Sequence, residues 1–430
     1  MKNFILWLFF IQKDIRFIGV VLLFVSMTTA TAQNIFPGAV GQGSCSRGAY
    51  GGDSLPEVVY VDNLNDSGPG SFRAAVTHRG PRIVLFNVSG TIRLSRPIFA
   101  QNPYLFIAGQ SAPAKGIAVE GAPFIVRTHD VLVQDMRFRL GGDYPRQSDC
   151  VSFGGRNSVV YNVVFDRCSF AFGLDENIGI LDSGPGITIS HSIVGYGLSR
   201  FDHSMGVLSL NSKGVSLIRN ILAFNHDRNP NIRGDSQKAE VLNNLIYNSG
   251  AHAVYLGSRG PDNDPLHVLL EGNLLITGND KLNQYLLSVH KQIPDSFRVT
   301  WHDNLTLHED RVLKYIENQI LDDSDRFVPA ADRPFESSLE ELLPAAELLT
   351  ILPERAGARP EGRDAVDSLI VKHLKNRTGQ IIAHEDELGE LPELPVETHR
   401  IQQKLPESIH AYDENRKFTR LEYFLNDLLF

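Results

Sequence analysis

An acidic group of side chains is the first candidate for chemistry in this sequence. It comprises Asp149, Asp175 and Glu176. Ca²⁺ prefers oxygen ligands and takes six to eight of them at about 2.3–2.6 Å. If these residues occupy matching positions on neighbouring strands, which lie ~4.8 Å apart, their carboxylates could share one cation. Asp143 and Asp182 are further candidates. For acidic residues taken alone, solvated turn positions are the simpler interpretation.

The second candidate group is basic and follows a β-rich run. Arg228 and Arg233 flank Pro230 within residues 225–234. A rigid loop with two guanidinium groups suits a carboxylate ligand, because guanidinium binds carboxylate bidentately. An ordinary surface turn is the alternative. A cation and two arginines converging on a polyacid would suit elimination next to a carboxylate, since the cation can stabilise the enolate that forms when the adjacent proton leaves.

Other common kinds of site are absent from the sequence. It contains no Gly-x-Ser-x-Gly, no His-Glu-x-x-His and no phosphate-binding glycine loop followed by Lys-Ser/Thr. The three cysteines, Cys45, Cys150 and Cys168, have no zinc-finger spacing, and we expect them to be small buried core residues. Chemistry must therefore fall to carboxylates, arginine and histidine.

The charge of the chain is unevenly distributed. The 430 residues carry a net charge of −9, and residues 309–430 hold 15 Lys and Arg against 26 Asp and Glu. An acidic chain argues against a general nucleic-acid binder. The remaining, mildly basic part can still carry a local cationic groove for an anionic substrate.

The N-terminus has the pattern of an export signal. An apolar run over residues 17–25 follows Lys13 and Arg16, and Ala30-Thr31-Ala32 fits the small-x-small cleavage rule. We predict a signal peptide over residues 1–32 and a protein secreted to the extracellular space or periplasm, with no membrane span after cleavage. A retained membrane anchor is the alternative.

A coarse β repeat dominates the chain from about residue 130. The unit recurs every 24 to 32 residues without a helical pattern between units, over 131–138, 163–170, 187–193, 215–222, 239–246, 268–275 and 299–305. Such a repeat predicts a solenoid, because one coil cannot bury its apolar face alone. One position repeats as Asn, which predicts an asparagine ladder between coils, at Asn220, Asn244, Asn273 and Asn304.

The texture changes after residue 310, where Leu, Glu, Asp and Pro dominate. We expect helices over residues 338–349 and 363–375, and a shorter one over residues 71–76. The predicted organisation is therefore a catalytic solenoid over residues 33–310 and a C-terminal extension over 311–430 that packs on it. A solenoid with covered ends needs no partner, so we expect a monomer.

Several motifs resemble those of polysaccharide lyase family 1, the pectate lyases. They lie at residues 63–73, 86–92, 107–113, 166–176, 228–233 and 356–367. The resemblance implies an all-β fold, a right-handed single-stranded parallel β-helix with a partly helical C-terminal cover. It also implies cleavage of polygalacturonate by calcium-assisted β-elimination, which leaves 4,5-unsaturated uronate ends.

The resemblance also implies roles for single residues. Arg228 takes the position of the catalytic base, and Arg233 that of a residue binding substrate carboxylate. Asp149, with Asp175 or Glu176, takes the position of the calcium ligands. An arginine base is chemically demanding, because a free guanidinium is protonated at any ordinary pH.

The sequence departs from the family pattern at the site. Gln147 stands where relatives often have Asp, and the Lys expected in residues 197–206 is missing. Arg200 is a candidate replacement, and His203 is expected to line the groove. These departures leave open a catalytically weak or inactive protein that binds acidic polysaccharide. A lyase for methylated pectin would not need the acidic cluster, and the paired-Asp patterns of polygalacturonate hydrolases are absent.

Overall fold

The computed structural model describes residues 34–155, 158–234, 238–257, 266–280, 285–290, 297–308, 329–412 and 417–430, and the backbone of 311–313 and 320–322. The segment predicted to be a signal peptide lies outside these residues. Among the described helices, none combines the length and apolar character that crossing a membrane requires.

The chain winds through three sheets in turn, so most strands pair with the strand three places later in sequence, and the exceptions lie at the two ends of the solenoid. The first sheet contains, in order of pairing, β1 (Glu57–Val61), β2 (Arg82–Phe86), β5 (Leu105–Ala108), β8 (Val131–Gln134), β11 (Val163–Asp166), β14 (Ile187–Ser190), β17 (Val215–Ile218), β20 (Lys238–Leu242), β23 (His267–Glu271) and β26 (Arg298–His302). The second contains β4 (Ile98–Ala100), β7 (Phe124–Val126), β10 (Val151–Gly154), β13 (Glu176–Leu181), β16 (Met205–Leu210), β19 (Asn231–Arg233), β22 (Val254–Leu256), β25 (Leu287–Val289) and β29 (Ile320–Asp322). The third contains β3 (Gly90–Arg93), β6 (Ile117–Glu120), β9 (Met136–Arg139), β12 (Ser169–Ala171), β15 (Ile193–Gly195), β18 (Ile221–Ala223), β21 (Leu245–Tyr247), β24 (Leu274–Ile276), β27 (Leu305–His308) and β28 (Arg311–Leu313).

The pairing is parallel throughout, except that β28 runs antiparallel to β27. This confirms the predicted parallel β-helix. Short β-branched and aromatic runs suit it, because a parallel sheet is covered on both faces and selects apolar residues. The interior is a continuous apolar core that includes a group of ring contacts among Phe72, Phe124, Phe138, Phe165 and Phe170.

The asparagine ladder is confirmed at the turns between the first and third sheets. The Asn220 backbone N–H and side-chain Nδ2 both donate to Asn244 Oδ1, each at 3.0 Å. Asn244 repeats these bonds to Asn273 at 2.9 and 3.1 Å, and Asn273 repeats them to Asn304. Each side chain thus satisfies buried polar groups of the preceding coil.

The helices lie at the two ends of the chain. The predicted short helix forms as α1 (Phe72–Thr77), and Ser71 Oγ caps it by accepting the Ala74 N–H. The C-terminal part forms α2 (Leu348–Arg355), α3 (Ala365–Asn376) and α4 (Arg420–Asp427). The helix predicted over residues 363–375 is therefore confirmed. The one predicted over 338–349 is wrong in its bounds, because α2 begins at Leu348, after a short 3₁₀ turn that follows Pro344.

The C-terminal cover packs on the solenoid through apolar and charged contacts. Leu348, Ile370 and Leu374 belong to the solenoid core. Helix α4 packs with the N-terminal residues Ile35 and Phe36 in a second apolar cluster on the first sheet. The cover therefore shields outward faces of the sheets that the coils alone would leave exposed.

Candidate functional site

The candidate residues lie at one edge of the second sheet, where the chain arrives from the third sheet. Asp149 lies two residues before β10, Glu176 opens β13, and Arg228 lies three residues before β19. Strands β10, β13, β16 and β19 are consecutive neighbours in this sheet. Because all strands run in the same direction, their entry turns share one edge, and residues far apart in sequence meet there.

Three carboxylates converge at this edge. Asp149, Asp175 and Glu176 each place one oxygen within 4.8 Å of the others. Bonds between coils set this arrangement, because the Asp175 N–H donates to Ser148 O at 2.9 Å and the Glu176 N–H to Asp149 Oδ1 at 3.3 Å. A calcium–oxygen distance of about 2.3–2.6 Å places two ligands of one ion up to about 5 Å apart, so the cluster fits a hard cation in size and donor type.

The environment of Asp149 favours its neutral form. Burial raises the pKa of this carboxyl to about 7; Asp175 also raises it, while a hydrogen bond from Ser152 and the charge of Arg228 lower it. Ser152 Oγ donates to Asp149 Oδ2 at 2.6 Å. A proton and a cation would therefore compete for this carboxyl near neutral pH.

A glycine makes room for the Asp149 carboxylate. Gly179 lies in the middle of β13 and pairs in register with Ser152 of β10. A Cβ atom at Gly179 would lie 2.2 Å from Asp149 Oδ2, far inside van der Waals contact. Sequence reasoning missed this residue, although a lone glycine within a strand is a signal for close approach of another group.

Arg228 lies two coils beyond Glu176 and contacts that carboxylate. Its Nη1 makes a close contact with Glu176 Oε1, and both side chains are mostly buried. The Arg228 backbone is left-handed, with φ 62°, and its N–H donates to Asp227 Oδ1 at 2.6 Å. Burial and the nearby Arg233 lower the pKa of Arg228, while Asp175 and Asp149 raise it. The net shift is downward, in the direction that a base requires.

A buried chain of asparagine amides supports the turn that carries Arg228. Asn177 Nδ2 donates to Asn225 Oδ1, and Asn225 Nδ2 donates to Asn229 Oδ1, each at 3.0 Å. Asn229 Nδ2 continues the chain to Ser249 Oγ at 3.2 Å. Sequence reasoning missed these residues as well, because their positions do not repeat at one place in the coil as the ladder residues do.

The other residues predicted to bind substrate lie at different distances from the carboxylate cluster and Arg228. His203 Nε2 lies 3.4 Å from Asp175 Oδ1, so His203 belongs to the site. Arg233 ends β19 and lies close enough to Arg228 to affect its pKa. Arg200 is exposed on a short 3₁₀ turn, with its guanidinium 5.4 Å from the Phe201 ring centroid, and it bonds no carboxylate in the described part of the chain. Gln147 is exposed.

Two further candidates do not join the cluster. Asp143 is fully exposed, and its Oδ1 lies 3.6 Å from Nε2 of His384 in the C-terminal cover. Asp182 follows the far end of β13, and its Oδ1 accepts a hydrogen bond from Asn211 at 2.9 Å. Asp143 lies on the same β9–β10 turn as Asp149, and Asp182 follows the opposite end of β13, but neither belongs to the group whose oxygens lie within 4.8 Å of one another.

Two of the three cysteines are buried, as the sequence predicted for all of them. Cys150 and Cys168 are buried free thiols, as predicted. Cys45 is exposed, so the prediction for it was wrong. It closes a 3₁₀ turn, Gln42–Cys45, that lies across the outside of the first sheet rather than within the core.

Sequence comparison with known proteins identifies the family. The chain is 32% identical over 363 residues to a probable pectate lyase C of Aspergillus flavus, a match that covers 82% of this chain and 80% of the relative. The chain belongs to the pectate lyase family. A probable pectate lyase C of Aspergillus oryzae matches to the same extent, 32% over 364 residues. Membership of the pectate lyase family, and with it an enzyme of the polysaccharide lyase class, is thereby confirmed.

Solved structures of the same fold lie at lower identity. The major allergen of cedar pollen matches at 18% identity with a TM-score of 0.55, covering 74% of this chain and 92% of the allergen. A pectate lyase bound to a hexasaccharide matches at 13% identity with a TM-score of 0.53, covering 77% of this chain and 99% of that enzyme. These likenesses agree with the pectate lyase fold. No protein-family model matches the sequence.

Proposed function

We propose that this protein cleaves polygalacturonate by calcium-assisted β-elimination and leaves a 4,5-unsaturated uronate end. One observation carries the proposal: three carboxylates have oxygens within 4.8 Å of one another, one of them contacts Arg228, and Arg233 lies close enough to affect the pKa of Arg228. Carboxylates suited to Ca²⁺ beside guanidinium groups suited to uronates form a site for an acidic polymer.

In this proposal Arg228 removes the proton from C5 of a uronate. The electron pair of that C–H bond forms the C4–C5 double bond, the C4–O bond breaks, and the leaving oxygen takes up a proton. Arg228 must be neutral to act, and its burial and the proximity of Arg233 favour that form. Because a guanidinium ionises only at high pH, we expect the rate to rise into the alkaline range.

Asp149, Asp175 and Glu176 would hold the calcium ion. Bound there, calcium supplies charge that binds the uronate carboxylate and makes its C5 proton more acidic. Arg233 would bind a substrate carboxylate, and His203 would line the groove beside Asp175. Arg200, which is exposed and turned onto Phe201, is assigned to the edge of the groove and not to the reacting sugar.

The second candidate function is a weak or inactive protein that binds acidic polysaccharide. The contact between Arg228 and Glu176 favours it, because a guanidinium held by a carboxylate is a poor base. The exposed Gln147, at a position where an additional Asp ligand was expected, also weakens the cation site.

Absorbance near 235 nm on polygalacturonate, with calcium and then with chelator, separates the two functions. We expect a calcium-dependent rise that falls about 10²–10⁴-fold in Arg228→Ala, the range that general-base removal gives. Arg79→Ala, which removes an exposed arginine elsewhere, is the matched control. If the folded protein produces no rise with any uronate polymer but still binds one, the binding function is the correct one.

We also propose that the protein is secreted and acts as a monomer. We assign the protein to the exterior of the cell or the periplasm on the basis of the predicted export signal over residues 1–32. A single chain carries every residue assigned to the site, so a monomer suffices. Acidic polysaccharide, and not nucleic acid, is the expected partner of a chain with net charge −9.

A further inference from the structure

A row of basic side chains lies on another edge of the solenoid, at the turns between the first and third sheets. Arg167, His191 and Arg219 occupy the same turn position on three consecutive coils, and Arg219 directly precedes the ladder residue Asn220. All three have left-handed backbones, with φ 51°, 47° and 56°. Since coils stack ~4.8 Å apart, their side chains emerge at regular spacing.

A groove runs over this row. It has a volume of about 1180 Å³ and lies between the turns and the C-terminal cover. Arg167, His191 and Arg219 line it, and Arg355 at the end of α2 lines it from the side of the cover. It contains none of the residues assigned to the lyase site.

Among the arginines that line the groove, Arg359 pairs with Asp135 at 3.0 Å, whereas Arg219 and Arg355 make no ion pair within the described ranges. Arg219 Nη2 donates to the backbone oxygen of Glu341 at 3.2 Å, and its buried Nε has no partner among the described residues. The Arg355 side chain makes no hydrogen bond or ion pair within the described ranges. Burial and the charge of Arg355 lower the pKa of Arg219, which the nearby Glu341 only partly offsets. The charges of Arg219 and Arg355 are therefore close enough to repel each other, and an anion placed between them would relieve that repulsion.

Arg167 is only weakly neutralised. Its Nη1 donates to the backbone oxygen of Arg355 at 3.4 Å, and its Nε lies 3.9 Å from Asp166 Oδ2. Asp166 is buried, and its other oxygen accepts bonds from Ser190 and His191 at 2.8 Å each. Its charge is thus shared. The Arg167 guanidinium lies over the Phe430 ring, 4.4 Å from its centroid, a contact that leaves its charge uncompensated and able to bind a further anion.

We propose that Arg167, Arg219 and Arg355 form a second binding site for the carboxylates of an acidic oligosaccharide. Arg167 and Arg219 lie two coils, ~9.6 Å, apart, with Arg355 facing them from the cover, and guanidinium groups so placed can each bind a carboxylate of a polymer that carries one carboxylate on each sugar unit. The choice of a uronate chain over other polyanions rests on the proposed function. Such a site would hold the polymer on the enzyme between cleavage events and raise its local concentration at the lyase site.

Calorimetric titration with trigalacturonate tests the proposal. The full chain with Arg228→Ala is used so that the ligand is not cleaved, and chelator is present to suppress binding that needs a cation at the carboxylate cluster. We expect binding that weakens about tenfold in Arg219→Gln and in Arg355→Gln, the loss of one charge-assisted hydrogen bond. Arg79→Gln, an exposed arginine on another surface, should bind like the parent.

Three controls keep the result interpretable. Arg355 is exposed, so Arg355→Gln tests the site even if Arg219→Gln folds poorly. Equal binding by Arg355→Gln and Arg79→Gln would overturn the proposal, and so would competition by inorganic phosphate as strong as by the uronate. The rate of cleavage by the otherwise unchanged enzyme, followed near 235 nm, reports on the lyase proposal separately, because trigalacturonate binding here is measured without turnover.

Discussion

Two clusters in this protein are built from the same kinds of residue and behave differently. In the first, Arg137 and Arg139 of β9 meet Asp364 and Asp367 at the start of α3. Arg139 Nη2 lies 2.9 Å from Asp367 Oδ1 and 3.1 Å from Asp364 Oδ2, and all four side chains are buried. In the second, three carboxylates meet Arg228 at the edge of the second sheet.

The two clusters differ in the ratio of acidic to basic groups and in their exposure to solvent. The first cluster pairs two positive charges with two negative ones in the dry seam between cover and solenoid, so it has no capacity left for a ligand. The second has three carboxylates, of which Glu176 contacts one guanidinium, that of Arg228, and Asp149 and Asp175 are partly open to solvent. A cluster with an excess of carboxylates that is partly open to solvent can accept a cation and a charged substrate. We infer that charge count and access, and not residue type, distinguish the buried cluster from the proposed functional one.

Removing one charge from the buried cluster should produce the largest change in stability. Asp364→Asn keeps the shape of the helix cap but leaves buried arginine under-compensated, and we expect a loss of about 3–5 kcal/mol at pH 7. Burial alone would raise the pKa of Asp364, but Arg139 and Arg137 hold it below its ordinary 3.8. The stabilisation is therefore complete above pH 3.8 and is lost as pH falls through the lower folded value.

Urea unfolding of Asp364→Asn at several pH values measures this loss. Glu354→Gln, which breaks the exposed pair with Lys375, is the matched control and should cost less than about 1 kcal/mol. A variant as stable as the parent at neutral pH would show that the buried cluster does not hold the cover.

The asparagine ladder extends the comparison to uncharged groups. Asn244→Ala removes an acceptor for two Asn220 donors, and we expect a loss of about 3 kcal/mol, since buried donors are left without partners. Activity per folded molecule should stay near that of the parent. Thermal unfolding beside Asn65→Ala, an exposed turn position, gives the measurement. Equal stability of the two variants would show that the ladder does not stabilise the stacking of the coils.

The functional cluster should respond to calcium where the buried one does not. Calcium at 100 times its dissociation constant should stabilise the parent by about 2.7 kcal/mol, and Asp149→Asn should lose most of this gain. Asp143→Asn, at the exposed carboxylate that pairs with His384, should respond like the parent. Equal calcium-dependent shifts in melting temperature for parent and Asp149→Asn would place the cation elsewhere.

The smallest expected effect concerns the space beside Asp149. Gly179→Ala introduces a Cβ 2.2 Å from Asp149 Oδ2 and should weaken calcium binding about tenfold by displacing that ligand. At Gly362 a Cβ would lie 3.9 Å from its nearest neighbour, so Gly362→Ala is the control. Calorimetric titration with calcium compares the two variants. Unchanged affinity in Gly179→Ala would mean that Asp149 does not have to occupy its present position.

Much of the fold could be predicted from the sequence because the solenoid repeats. An asparagine that recurs at one position of each coil can bond the equivalent asparagine of the next coil. The spacing of Asn220 and Asn244 was therefore enough to predict the ladder. The helix over residues 365–376 followed from an acidic N-terminus and a basic C-terminus. The segment over 338–349 has similar composition, but its path depends on packing against the turns, which local sequence does not encode.

The site was predictable only at the level of motifs. Family resemblance suggested Asp149, Glu176 and Arg228, and the structure brings them together. It could not reveal that Arg228 meets Glu176 across an intervening coil, or that Gly179 leaves space for Asp149. Those facts depend on register between coils, and register is a property of the stacked solenoid and not of any single segment.

The parallel stacking also means that the length of the molecule increases by a constant step with each coil. Each coil adds ~4.8 Å to the length of the edge that carries the site, and it does so with 24 to 32 residues that need contact only their neighbours. Insertion or deletion of a whole coil would therefore lengthen or shorten that edge by one step and leave the register of the other coils intact. In such a scaffold, evolution can change the number of sugars accommodated separately from the chemistry performed on one of them.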